Sequence, residues 1–196
     1  PVDINELKEA SSSSARMLRF IEDYDPGLIV YFGEKISTTS ALLAKEVVYN
    51  SFSETDYLPL IAVDHEGGLV QRLNGDGFTK LDPWQKVVAS YSNEQQKAVF
   101  NQSARELNEV GINIVFAPVV DLASNSAVLK TRAASDIDKT YLAASNFILQ
   151  FAQNGVMAVI KHFPGIGSIS KDPHNVASTI TLDKNDTEIF SQLLNK

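Results

Sequence analysis

The 196-residue chain carries a formal net charge of −7 and a pI near 4.9, which excludes the basic footprint that nucleic-acid binding needs and weighs against an anionic membrane surface. With 44% hydrophobic and 21% charged residues it has the composition of one globular domain with a real core, and no apolar run approaches the roughly 20 residues of a membrane span. Cysteine is absent and the three histidines, His65, His162 and His174, match no metal-ligand spacing, so disulfides and thiolate zinc sites are excluded and neither metal nor cofactor is expected.

The first 25 residues are mixed. Residues 11–14 are a serine run with poor helix propensity, and Leu18 and Ile21 share one short helical face. Asp25-Pro26-Gly27 is a turn signal, and Leu28–Phe32 reads as the first buried strand, stopped by Gly33. Ser37 or Thr38 caps a helix running to about Ser51, with Leu43 and Val47 at i and i+4. The second strand, Leu60–Val63, runs into Asp64-His65-Glu66-Gly67-Gly68. Glycines among acids at a strand end permit close approach of a ligand.

Ser92 and Gln95 form a capping box for a helix whose buried face reads Phe100, Ala104, Leu107, and Gly111 stops it. The third strand spans residues 112–121, with Pro118 marking a bulge or its end. A loop containing Arg132 leads to a helix with Tyr141, Ala144, Ile148 and Phe151 on one stripe and Gly155 as its stop. Residues 156–160 are a fourth apolar strand. A last helix opens after Thr179, with Asp186 as its cap.

Strand and helix thus alternate four times, and the strands are continuous apolar runs, as parallel strands covered on both faces are. That leaves an open doubly wound sheet or part of a (β/α)8 barrel. Either places ligands beyond the C-terminal strand ends, where Asp64, Asp121 and the Lys161-His162 pair stand.

The loop after the fourth strand carries the most chemistry. Lys161-His162-Phe163-Pro164-Gly165-Ile166-Gly167 is followed by Asp172-Pro173-His174. A carboxylate bonded to one imidazole nitrogen fixes the tautomer and raises the basicity of the other. Such a histidine can give a proton to a leaving oxygen and later take one from water. The plainer reading, in which Asp172 caps a turn and His174 is a surface histidine, has equal weight on the residues alone. Gly165-Ile166-Gly167 lacks the third glycine of a dinucleotide fingerprint.

These residues resemble glycoside hydrolase family 3, in its bacterial β-N-acetylglucosaminidase (β-N-acetylhexosaminidase) branch. Four stretches carry the likeness in order: residues 60–72 (LIAVDHEGGLVQR), residues 113–121 (NIVFAPVVD), Arg132, and residues 161–174 with the Asp172–His174 dyad. The resemblance implies a TIM (β/α)8 barrel, of which residues 1–196 supply roughly the first half as its N-terminal part.

It also implies a retaining hydrolase that removes terminal β-linked N-acetylglucosamine from cell-wall or chitin-type glycans. In it His174 is the general acid/base, Asp172 its orienter, and Asp64, Arg72, Arg132, Lys161 and His162 hold the sugar. The family's nucleophile is an aspartate on a later strand. No position for it is found before Lys196, so the rest of the barrel is expected as a second polypeptide or as further sequence. His65 and Glu66 are expected to be structural, Trp84 to pack, and Asp121 either to touch ligand or to support the barrel mouth.

Several positions depart from the family pattern: Ile166 replaces a histidine, Pro173 a serine and Leu69 an arginine, and Ala133-Ala134 stand for Ser-Phe. Together with the chain length, Ile166 motivates an alternative, a catalytically inactive carbohydrate-binding or scaffold protein of the same fold. The chain starts at Pro1 without Met, so a processed or cut N-terminus is expected. The compartment is left open between the cytoplasm and, with a signal peptide removed, outside it.

Overall fold

The computed structural model describes residues 1–7, 12–52, 57–123, 126–172, 175–177, 179–180, 182 and 184–194. In chain order its elements are β1 (Val2–Asp3), α1 (Ile4–Leu7), α2 (Ser12–Tyr24), β2 (Leu28–Phe32), α3 (Thr38–Asn50), β3 (Leu60–Val63), β4 (His65–Gly67) and β5 (Val70–Gln71). There follow α4 (Trp84–Ser90), α5 (Asn93–Glu109), β6 (Ile114–Val115), a 3-10 turn (Lys130–Arg132), α6 (Ile137–Gln153), β7 (Met157–Ala158) and α7 (Lys184–Leu194).

Five strands form one parallel sheet in the order β1-β2-β3-β6-β7. Each lies beside the sheet strand that precedes it in the chain. A doubly wound sheet reverses its order at a switch point, and this one does not. Sequential parallel order is how a (β/α)8 barrel is built. The pair β4 and β5 is a separate antiparallel hairpin standing on the end of β3.

Alternation along the strands sorts side chains to two faces. Ile29, Tyr31, Ile61, Val63 and Val115 turn towards the helices and are buried. They form one core with Ile21 from α2, Ala41, Ala44 and Val48 from α3, Ala104 and Leu107 from α5, and Ala144 from α6. Between α4, α5 and α6 the core is aromatic, with Phe100 and Phe147 5.0 Å apart, Phe147 stacked on Phe151 at 4.0 Å, and Trp84 packed on Phe100 and Phe147. Trp84 is thus a packing residue. The other face carries the register-linked residues Leu28, Leu60, Ala62, Ile114 and Met157. Of these Leu28 is 42%, Leu60 47% and Met157 62% exposed.

Several elements differ from the sequence expectation. The third strand keeps only Ile114–Val115 because a proline has no N–H to continue the ladder; Ala117-Pro118 is a cis peptide, and pairing resumes at a bridge between Val119 and Lys161. The fourth is Met157–Ala158, with Val159 N still donating to Val115 O. The strand β1, the hairpin and α4 were not foreseen, and Ser12 to Ser14 lie inside α2.

In α3 the buried stripe is Ser40, Ala41, Ala44 and Val48, with Ser37 as cap, while Leu43 faces outwards at 51% exposure. Asp186 is not the cap of α7 but a first-turn residue, and a Cβ on Gly165 would lie 2.8 Å from its Cβ. The capping box of α5 and its buried Phe100, Ala104 and Leu107 are as expected.

Candidate active site

The C-terminal edge of the sheet gathers the polar residues. Asp64 follows β3, Asp121 lies beyond β6, and Lys161 and His162 lie beyond β7. Met157, Val159 and Lys161 alternate onto the open face, so the Lys161 side chain reaches back across β6. Its Nζ lies 2.7 Å from Asp64 Oδ1 and 2.6 Å from Glu66 Oε1. Glu66, on the hairpin, also takes both ends of the Arg132 fork: Nε donates to Oε2 at 2.7 Å and Nη2 to Oε1 at 2.8 Å. Burial by itself would lower the Arg132 pKa. The Glu66 hydrogen bonds and charge, with Asp121 and Asp64 behind them, outweigh it and the net shift is upward.

Asp121 is buried and organises the other half of the site. Its Oδ2 lies 2.6 Å from His162 Nδ1 and accepts from the His162 amide at 3.1 Å, while Oδ1 accepts from the Ile166 amide at 2.7 Å. One carboxylate thereby ties the ring and the start of the glycine loop to β6. His162 Nε2 faces Arg132 Nη2 at 3.3 Å. The peptide between Lys161 and His162 is cis.

Arg72 enters from the end of β5 with its guanidinium 5.3 Å from the centre of the Phe32 ring. Its Nε is buried with no hydrogen bond among the described residues. Asp64, Glu66, Arg72, Arg132, Lys161, His162 and Asp172 line one cleft of about 490 Å3, whose apolar wall is Val70, Phe116, Val128 and Ile166. A larger hollow of about 570 Å3 lies against Gly68 and Gln71 of the same hairpin. Its charged residues Lys35, Asp76 and Lys80 form no ion pair among the described residues, whereas the smaller cleft holds the charge network.

The described part of the family-like residues is therefore brought to one place: Asp64, Arg72, Arg132, Lys161, His162 and Asp172. His174 and Pro173 lie outside the described residues. His65 points away into the core, fully buried, with Nε2 3.1 Å from Ser103 Oγ. Glu66, expected to be structural, is buried in the hairpin and binds both cations. Its one sequence signal is its position among glycines at a strand end. Among the described residues no three His, Asp or Glu side chains converge as a metal site needs, and no helix is long and apolar enough to cross a membrane.

The family model described as glycosyl hydrolase family 3 N terminal domain matches residues 2–195. The chain belongs to glycosyl hydrolase family 3. Among its relatives is a protein named beta-hexosaminidase A from Pseudoalteromonas piscicida, 31% identical over 176 residues, covering 84% of this chain and 29% of the relative. A solved β-N-acetylhexosaminidase from Beutenbergia cavernae superposes with a TM-score of 0.83 at 23% identity over 95% of this chain and 60% of its own, a likeness of fold. NagZ from Neisseria gonorrhoeae, solved in complex with N-trifluoroacetyl-D-glucosamine, superposes at 0.75 with 26% identity, over 93% of this chain and 56% of its own. The chain thus spans less than two thirds of each of these three proteins. As a family 3 N-terminal domain it has the barrel-type α/β fold, and its cleft lies at the strand edge where barrels carry their sites.

Proposed function

We propose that residues 1–196 are the N-terminal part of a retaining glycoside hydrolase acting on terminal β-linked N-acetylglucosamine in cell-wall or chitin-type oligosaccharides. The observation that carries this reading is the charge network of Asp64, Glu66, Arg132, Lys161 and His162 in one cleft with Arg72 and Asp172. Two carboxylates occupy two of the three Lys161 protons, leaving one for a sugar hydroxyl. Asp64 uses Oδ1 for Lys161, and Oδ2 can accept from a second hydroxyl. Arg72, without an ion pair among the described residues, offers a further fork. Such a ring of fixed donors and acceptors grips a polyol and orients its anomeric carbon.

In this reading His174, steadied by Asp172, protonates the leaving oxygen and then takes a proton from the attacking water. An aspartate outside these residues forms the covalent glycosyl-enzyme intermediate. We propose that the remaining strands, whether a second chain or further sequence, close the barrel. The outer edges of β1 and β7, unpaired among the described residues, and the exposed apolar side chains of the open face support this.

The test uses the intact protein and a β-linked N-acetylglucosamine disaccharide. His174→Ala should leave KM within a few-fold and lower kcat by about 100- to 10,000-fold. An aryl glycoside with a good leaving group should recover much of the first step. Sugar binding without turnover in the wild-type protein would sink the hydrolase and favour the binding protein of the same fold. Product analysis with and without phosphate separates hydrolysis from phosphorolysis.

A further inference from the structure

We infer that Glu66 is a positioning residue of this site: its carboxylate sets where Arg132 and Lys161 stand, and through them where the sugar sits. The inference rests on the hydrolase reading and gives a role to a residue of the stretch 60–72 that was expected only to be structural.

Both Glu66 oxygens are engaged by cations. Oε2 takes Arg132 Nε at 2.7 Å, and Oε1 takes Arg132 Nη2 at 2.8 Å and Lys161 Nζ at 2.6 Å. The Glu66 side chain is 2% exposed, against 19% for Arg132 and 15% for Lys161. The carboxylate therefore lies behind the two cations, and they keep the donors that face the cleft. Asp64 is the contrasting acid. It also pairs with Lys161, but its side chain is 20% exposed, and it stands where it can touch ligand itself.

The arrangement is specific to a carboxylate. Arg132 has no other carboxylate in its ion pairs among the described residues. Two like charges held this close to each other in a partly buried cleft repel unless a negative group stands between them. A carboxylate can accept from a guanidinium fork and an ammonium at once. An amide of the same shape has no charge and one acceptor oxygen, and its NH2 would point at a cation. Glu66→Gln therefore removes the negative charge between the two cations and at least one of the three bonds made by Oε1 and Oε2, while keeping the volume of the side chain.

The hairpin gives the carboxylate its precision. Glu66 is the central residue of β4, flanked by buried His65 and by Gly67, which packs against the backbone of Leu81 and Asp82. The residue that holds the cations is thus itself held in a buried, paired strand, as positioning requires.

In the intact protein Glu66→Gln should lower kcat/KM for the disaccharide by about 100-fold, with KM carrying the larger part, because misplacing a binding group by an ångström has effects of that size. A merely structural glutamate would lower the melting temperature and leave the constants of the folded enzyme within about twofold. The discriminating measurement is a double-mutant cycle with Lys161→Met. If Glu66 acts through Lys161, adding Glu66→Gln to Lys161→Met costs about 10-fold rather than 100-fold. An equal factor in both backgrounds, or unchanged kcat and KM in the single variant, overturns the inference. Should Glu66→Gln fail to fold, Glu66→Asp keeps the charge and shortens its reach, so a loss of about 10-fold is expected and unchanged kinetics overturns the role. Wild-type protein with no turnover overturns the hydrolase reading and this inference with it. Active wild type with an unmoved variant overturns this inference alone.

Discussion

Asp121 decides which nitrogen of His162 carries the proton. A carboxylate oxygen 2.6 Å from Nδ1 requires a donor there, and the Arg132 nitrogen facing Nε2 can only donate. His162 therefore presents a protonated Nδ1 to Asp121 and a lone pair to Arg132. His65 is the opposite case. Burial holds it neutral, its pKa lowered from 6.5 to about 3, and its Nδ1 has no partner among the described residues. The unfolded chain gains a proton at this residue below about pH 6.5, and the folded chain does not until about pH 3. Stability contributed by neutral His65 is therefore whole above the upper value and falls as pH drops through that window. The slope is about 1.4 kcal/mol per pH unit. Urea unfolding at several pH values should show this component in the wild type and its loss in His65→Asn. An identical slope in the variant would show that the buried imidazole does not titrate this way.

Elements formed by local chemistry were legible, and those formed by distant pairing were not. Ser92 and Gln95 bond reciprocally across one turn, so neighbouring residues suffice to place the start of α5. Ser92→Ala should cost about 1 kcal/mol, read as a lower urea midpoint with unchanged slope; an unchanged midpoint would mean that α5 is held wholly by its packing. The strands show the limit of such reading. Parallel strands are apolar on both faces, so an apolar run gives no signal of where pairing stops. Residues 112–121 contain that pattern, yet the ladder breaks near Pro118 and resumes at Val119. Strand β1 is two residues long, and only its pairing with Tyr31 and Phe32 makes it a strand. In α3 the expected stripe of Leu43 and Val47 is not the buried one, because the small residues Ala41 and Ala44, with Val48, pack into the core instead. The site divides the same way. Asp64, Lys161 and His162 were legible as polar residues at strand ends within recognisable motifs. Glu66 was not, since its role depends on Arg132 and Lys161, far along the chain, arriving over the same hairpin.

At the scale of the whole molecule the two faces of the sheet are unequal. The helix-covered face is closed, with Tyr31, Ile61, Val63 and Val115 fully buried. The open face turns Leu28, Leu60, Met157 and Val159 to solvent at 38% exposure or more; the register pairs Leu28 with Leu60, and Met157 with Ile114 beside the buried Ala62. In a closed barrel such residues interleave in layers across the axis. Left open, they form a patch of the kind that associates, beside strand edges able to pair with another chain. Residues 1–196 produced alone should therefore bind an apolar dye, sediment as associated species and unfold with low cooperativity. Supplying the proposed remaining strands as a second polypeptide should give a one-to-one complex, abolish dye binding and sharpen unfolding. The measurement is sedimentation velocity with dye fluorescence, with and without that segment. A dye-silent monomer at tens of micromolar would show that the open face is stable in water as it stands, and the proposal of a closing half would fall with it.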